Sequence, residues 1–384
     1  MITRPATRID GEGRSLLSSR IAELDGLRGL AALAVVVAHY FGEVPHGFRI
    51  FTVGWLGVDV FFVLSGFLIG SIILTHRESP GFFLSFYARR AARILPIYFL
   101  TIFAVFASLA LVGAGATWAD APLPLAAYLT FTQNFAMLIG GETQNLWLTP
   151  TWTLAVEEQF YVLAPLVLVM LPRRHILPFL IACIALAVIF RAGLLLAGGH
   201  WMASLVLLPS RLDLFACGIV GAHLVNAGAL ADGRRDGILR AVPLLAALLL
   251  LAIMVMDVRA QSQWFKVLTP LVLGVGAASF ILALVRGAPE GRRFRAKTLG
   301  FLGTVSYGLY LIHQPVAGLL HGLLLGGRPD IGTGAELAVT MLAFAASIAL
   351  AWMSWRLLEA PLIRIGRRWA YAPAREARAS YQPA

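Results

Sequence analysis

Charge is what this 384-residue sequence is shortest of: 13% of its residues are charged, against about 25% in soluble domains. Together with 59% hydrophobic residues, that shortage excludes a water-soluble globular protein and points to an all-α, polytopic transmembrane helix bundle. Cysteine is almost missing. Cys183 and Cys217 are the only two, both inside apolar runs, which argues against a stabilising disulfide and leaves the redox compartment unreadable. A signal peptide would show a short basic start, a brief apolar region and a small-residue cleavage site. None is visible, so the first apolar run reads as a retained helix. There is no repeat of useful period, no low-complexity block and no second globular domain. No Cys/His/Asp spacing resembles a metal site, and neither a phosphate-cradling glycine loop nor a GxSxG elbow occurs. The chain is therefore expected to use no metal and no bound cofactor. Its chemistry falls to histidine and carboxylates inside the bundle.

Apolar runs of spanning length lie at about 24–44, 51–75, 94–114, 152–172, 176–197, 201–226, 239–257, 264–286, 299–325 and 334–358, ten in all. The net charge of +11 could suggest nucleic acid, but the basic residues sit in short clusters between these runs. That is a topology signal and not a recognition patch. With the N-terminus cytoplasmic, inside loops hold Arg77, Arg89, Arg90, Arg93, Arg173, Arg174, Arg234, Arg235, Arg240 and the cluster from Arg286 to Lys297. Outside loops hold only Arg49, Arg259, Lys266 and Arg328. Both termini are thus expected in the cytoplasm. Counting 123–139 as a further crossing would invert every later loop, so it reads as a re-entrant or interfacial segment. The domain plan is a cytoplasmic segment over 1–22, a transmembrane domain over 23–361 and a basic, disordered tail over 362–384.

Against that apolar background a few polar residues stand out. The first run, ELDGLRGLAALAVVVAHYF, carries Arg28 and His39, eleven residues apart, hence on one helical face and about 16 Å apart along the axis. Ionisable residues in a membrane point to function, although Arg28 could snorkel and His39 could bond a neighbouring helix. Asp59, near the same end of the second helix, is positioned to bond that imidazole and raise its basicity. Arg90 and Arg93, three apart, share a face if their loop is helical; guanidinium forks suit phosphates, while the plain reading is a positive-inside cluster. Thr153, Glu157 and Tyr161 line one face of the fourth run. Arg211 and Asp213 lie at mid-membrane, two apart, so each must find its partner on another helix. Ser306, Tyr310 and His313 share a face, with a kink expected at Pro315.

These residues, in this order, resemble the membrane acyltransferase family 3, which includes bacterial O-antigen, exopolysaccharide and macrolide O-acyltransferases. The matching pieces are LDGLRGLAALAVVVAHY, GVDVFFVLSGFLI, the Arg90–Arg93 pair, WTLAVEEQFY, RLDLFACG, SYGLYLIHQP and the closing EAP at Glu359–Pro361. Thr153 stands where the family usually has Ser, and the soluble hydrolase-like domain that some members append is not in this sequence. The resemblance implies acyl transfer, typically acetyl, from acyl-coenzyme A to a hydroxyl of a carbohydrate or related acceptor, in the bacterial cytoplasmic (inner) membrane. Under it Arg28, Arg90 and Arg93 hold the donor phosphates, and His39, with Asp59 and Glu157, is catalytic. Arg211, Asp213, Tyr310 and His313 are acceptor-site candidates. Coenzyme A is then a co-substrate, and the partners are the acceptor and the bilayer, with no nucleic acid. A transporter or flippase is the rival reading of the same buried charges.

The orientation has a direct check. In a background without Cys183 and Cys217, cysteines placed in the 288–297 loop should react only with a membrane-permeant thiol reagent, and a cysteine near Gly141 should react from outside. Labelling of the 288–297 loop by an impermeant reagent would make 123–139 a true crossing.

Overall fold

The computed structural model describes residues 21–113, 116, 118–139, 145–230, 233–260 and 264–371, without the side chains of 255–260 and 264–265. The expected cytoplasmic N-terminal segment (except Ile21 and Ala22) and the tail beyond Tyr371 lie outside these residues. Among the described residues there is no strand, and ten helices are long and apolar enough to cross a membrane. They are α1 (Ala22–Val37), α2 (Leu56–His76), α3 (Phe82–Val112), α6 (Trp152–Met170), α7 (Arg173–Leu196), α9 (Leu212–Asn226), α10 (Asp236–Ala260), α11 (Trp264–Val285), α12 (Lys297–Leu325) and α13 (Gly334–Ser354), some lengthened by flanking 3₁₀ or π turns. Shorter helices are α4 (Leu125–Leu129), α5 (Gln133–Ile139), α8 (Ala203–Val206) and α14 (Ala360–Gly366).

The segment 123–139 forms α4 and α5, five and seven residues long and broken where Phe131 turns to a positive φ of 54°. At about 1.5 Å per residue neither approaches the roughly 30 Å of a hydrocarbon core. Gln133 and Asn134 are buried, and Gln133 donates to the Thr151 carbonyl at 2.8 Å.

Two expectations about element limits are corrected. Arg89, Arg90 and Arg93 do not lie in a loop. They belong to α3, whose 31 residues extend about 46 Å, well beyond the hydrocarbon thickness. The sixth span is not one helix from residue 201: α8, a 3₁₀ turn at Leu208–Arg211 and α9 follow one another. Pro209 at the head of that turn has no N–H to continue a helix.

The chain folds into two compact units. The first comprises residues 1–27, 59–77 and 163–300. Within it α2 and α9 cross with their backbones touching: a methyl on Gly66 would fall on the Phe215 carbonyl, and one on Gly218 on the Val63 carbonyl. Such small-residue seams let membrane helices associate by close packing. Beside the seam lie two buried ion pairs. Arg211 Nη1 donates to Asp59 Oδ1 at 3.1 Å, and Arg191 of α7 grips both oxygens of Asp213, at 3.0 and 2.5 Å, while also donating to the Ser210 and Val267 carbonyls. All four side chains are at most 3% exposed.

Arg211 and Asp213 thus find partners on other elements, Asp59 and Arg191. Buried charges persist in low dielectric only when paired and hydrogen-bonded.

The second unit comprises residues 28–58, 78–162 and 301–384. One of its cores gathers Ile97, Tyr98, Ile102, Tyr128, Trp147, Leu148 and Leu311, and another gathers Val36, Tyr40, Val305, Leu309 and Ala343. Helix α13 opens on a reciprocal cap, with Thr333 accepting from the Glu336 N–H and Glu336 from that of Thr333.

Removing one member of the Arg191–Asp213 pair strands a buried charge, which costs about 3–5 kcal/mol. Arg191→Met and Asp213→Asn should each sharply lower the unfolding midpoint of detergent-purified protein, whereas Arg191→Met with Asp213→Leu should recover most of it. Thermal scans of the three variants check this.

Candidate active site

The site is assembled within the second unit, beginning at the end of α1. From Ala38 to Gly42 the helix widens to a π turn, closed by the Glu43 N–H on the Ala38 carbonyl at 2.8 Å. Such turns often mark functional positions, and the local effect is visible here. His39 and Tyr40, which a regular helix would splay by about 100°, both engage the same residue of α12. His39 Nδ1 lies 2.8 Å from His313 Nε2, the rings edge to edge and within 20° of parallel with centroids 5.0 Å apart, while the Tyr40 hydroxyl donates to the His313 carbonyl at 2.6 Å. Ser347 of α13 completes the Tyr40 contact at 2.9 Å.

The expected partner of the His39 imidazole, Asp59, is therefore replaced by His313. A carboxylate does stand beside the ring, but it is Glu43, with Oε2 3.6 Å from His39 Nε2. The two side chains are 17% and 43% exposed. His313 is fully buried, and its Nδ1 faces the Leu309 carbonyl at 3.1 Å.

Tyr310, one turn before His313, presents its hydroxyl to Thr153 Oγ1 at 3.0 Å and to the Pro150 carbonyl at 3.2 Å. Thr153 thus supplies the hydroxyl expected of Ser. Glu157, one turn further along α6, is half-buried and within electrostatic reach of Tyr310 and Tyr307.

A cationic cluster gathers Arg28, Arg90 and Arg93. All three are half-buried, and Arg93 is near enough to both others to be repelled by them. The Arg90 guanidinium stands over the Tyr161 ring at 5.4 Å and the Phe86 ring at 5.9 Å. Attraction comes from Glu158 towards Arg90 and from Glu359 towards Arg93. Glu359 lies in a second π turn, Trp355–Glu359, where it is 3% exposed and accepts from Ser354 Oγ at 3.1 Å. It occupies the space left by Gly308, where a Cβ would come within 2.9 Å of its Oε1.

The site therefore unites Arg28, His39, Arg90, Arg93, Glu157, Tyr310 and His313 in one unit. Asp59, Arg211 and Asp213 remain with the ion pairs of the other. Sequence reasoning overlooked Glu43, although its i,i+4 spacing from His39 was readable, and Arg191, a lone cation inside an apolar run. It quoted Glu359 only within a motif.

Residues 21–356 match a family described as an acyltransferase domain, acyltransferase 3. The chain belongs to that family. Among relatives, "Putative O-acetyltransferase SACOL0978" of Staphylococcus aureus strain COL is 25% identical over 370 residues, covering 90% of this chain and 58% of its own length. The O-acetyltransferase OatA of S. aureus strain NCTC 8325 is 24% identical over 375 residues, covering 92% of this chain and 59% of its own. This acyltransferase-family chain thus spans under three-fifths of the length of these relatives. No solved structure matches it.

Near the His39 end a second histidine ties two loops of this family member together. His46 donates to Asp330 through its backbone N–H at 3.0 Å and through Nδ1 at 2.7 Å. Those hydrogen bonds, with lesser attraction from Glu336, hold the His46 imidazolium above its usual range. A raised folded value stabilises the fold fully below the unfolded pKa, near 6.5, and the contribution fades as pH climbs through the folded value. The unfolding midpoints of wild type and His46→Ala should therefore differ more at pH 6 than at pH 9, as paired thermal scans would register.

Proposed function

We propose that the chain is a membrane O-acyltransferase, moving an acyl group, acetyl first among them, from acyl-coenzyme A to a hydroxyl of a carbohydrate or related acceptor at the bacterial cytoplasmic membrane. The observation that carries this reading is the layout of one helix. Its cationic end, Arg28 with Arg90 and Arg93, lies about 16 Å from an imidazole whose Nε2 faces Glu43. A coenzyme A donor has the same layout, with phosphates at one end and a thioester at the far end of an extended arm. The three guanidiniums take the phosphates, where bidentate forks are strongest, and the arm runs along α1 to His39.

At the thioester, His39 Nε2 removes the proton from the acceptor hydroxyl as its oxygen attacks the carbonyl carbon. The C–S bond then breaks, and the proton passes from Nε2 to the departing thiolate, giving ester and free coenzyme A. Acyl capture by Nε2 followed by transfer to the acceptor uses the same atoms in two steps. The imidazolium that forms has Glu43 3.6 Å away, so this carboxylate takes the stabilising role first read into Asp59. Glu157, with Tyr310 and Thr153, shapes the side from which the acceptor enters.

Turnover per monodisperse, detergent-purified molecule is the deciding measurement. His39→Ala should lose about 10²–10⁴-fold in rate while titrated acyl-coenzyme A still binds, and Arg90→Ala with Arg93→Ala should lose that binding. Normal turnover by folded His39→Ala would remove the imidazole from the reaction, and unchanged donor binding by the double variant would return the arginines to a topology signal.

A further inference from the structure

We infer that His313 is a positioning residue that holds His39 in the tautomer with the proton on Nδ1 and a bare lone pair on Nε2. The inference deepens the reading of His39 as the group that handles the acceptor's proton, and it rests on that reading. It follows from what each atom is able to do.

The Leu309 carbonyl can only accept. His313 Nδ1, 3.1 Å from it, therefore carries a hydrogen and donates. A neutral imidazole has one donor and one acceptor nitrogen, so His313 Nε2 is left with its lone pair. Across the 2.8 Å contact the hydrogen must then belong to His39 Nδ1. The remaining nitrogen of His39, Nε2, is bare. It is also the nitrogen on the Glu43 side of the ring.

The reverse assignment, a proton on His313 Nε2 pointing at His39, would make His313 an imidazolium, because its Nδ1 proton is already committed to Leu309. His313 is 0% exposed, and an ion there pays a large desolvation cost. One direction of the chain is thus favoured, running from His39 to His313 to the helix backbone.

The arrangement also survives the reaction. When Nε2 takes the acceptor's proton, Nδ1–H still donates to His313, and the new Nε2–H points towards Glu43. Nothing has to rotate between the resting and protonated states. Such pre-set geometry avoids reorganisation at the moment of proton transfer. Tyr40 donates to the His313 carbonyl and accepts from Ser347, so the backbone that carries the positioning ring is itself held.

The test uses the full chain with ¹⁵N-labelled histidine in bilayers, the His39 signals among the eight histidines being identified by their loss in His39→Ala. Resting His39 should show a protonated Nδ1 and an unprotonated Nε2. His313→Gln places an amide oxygen near the former Nε2, so it should keep this pattern and keep kcat within about tenfold of wild type. His313→Leu removes the acceptor; it should lose the pattern and about 10²-fold in kcat, with donor KM unchanged. A protonated Nε2 on resting wild-type His39 would overturn the inference, as would equal kcat loss in the Gln and Leu variants. Should His313→Leu fail to fold, the wild-type spectrum and the Gln variant still decide. The spectrum needs no substrate, so it separates this inference from the catalytic reading: normal turnover by His39→Ala would end that reading whatever the tautomer.

Discussion

A polar side chain withdrawn from water must be given a partner, and a helix supplies from its own turns little more than a spare carbonyl lone pair, as Leu309 does for His313. A carboxylate, a guanidinium's full set of donors or a second ring nitrogen must look to another element. This constraint governs both units of the acyltransferase chain. In the first, Asp59 waits on Arg211, 152 residues later, and Arg191 holds Asp213 while its remaining donors take two carbonyls. In the second, His39, Tyr40, Tyr310 and Thr153 are each satisfied from another helix or turn. The partners found this way divide the polar residues into two groups. Ions paired at full burial become fasteners. His39, whose Nε2 faces a partly exposed Glu43, and the half-buried arginines are not sealed in this way.

That division explains what could be read beforehand. The ten spans were legible because hydropathy over twenty residues is a large signal, and 123–139, set apart because a further span would have upset every basic loop, forms two short helices and not one of spanning length. Arg28, His39, Arg90 and Arg93 were legible as charges in costly places. What escaped was pairing. Asp59 was assigned to His39 on depth alone, and depth does not distinguish between neighbours; a guanidinium offers a buried carboxylate more than a neutral imidazole does. Arg191, which holds Asp213, was passed over, so the buried partner of that carboxylate went unnamed. The π turn at Ala38–Gly42 has no signature in hydropathy at all. It depends on what α12 offers the two side chains it redirects.

The cationic cluster bears on how such a site selects its donor. Arg93 is repelled by Arg28 and Arg90, and Glu158 and Glu359 lie near enough to attract the cluster. Placing several like charges together costs stability that is recovered when an anion of matching charge arrives. Under the proposed function, selectivity for a multiply charged head over a neutral thioester would then need no shaped pocket around the acyl group, and the acyl end would stay free to meet an acceptor. Glu359, seated on Gly308 and bonded to Ser354, prevents the cluster from being cationic without limit.

The interleaving of the two units has a consequence for how the protein comes into being. His39 enters the membrane before the ring that meets it, which lies 274 residues downstream. At about 5–20 residues per second, the imidazole spends roughly 15–55 s of synthesis without its partner. For that interval helix α1 must rest in lipid, or beside the insertion machinery, with a polar group unmet. The histidine pair is therefore incomplete until α12 has been made, and a ribosome that stalls before α12 releases a product without it. The order of the helices acts as a clock.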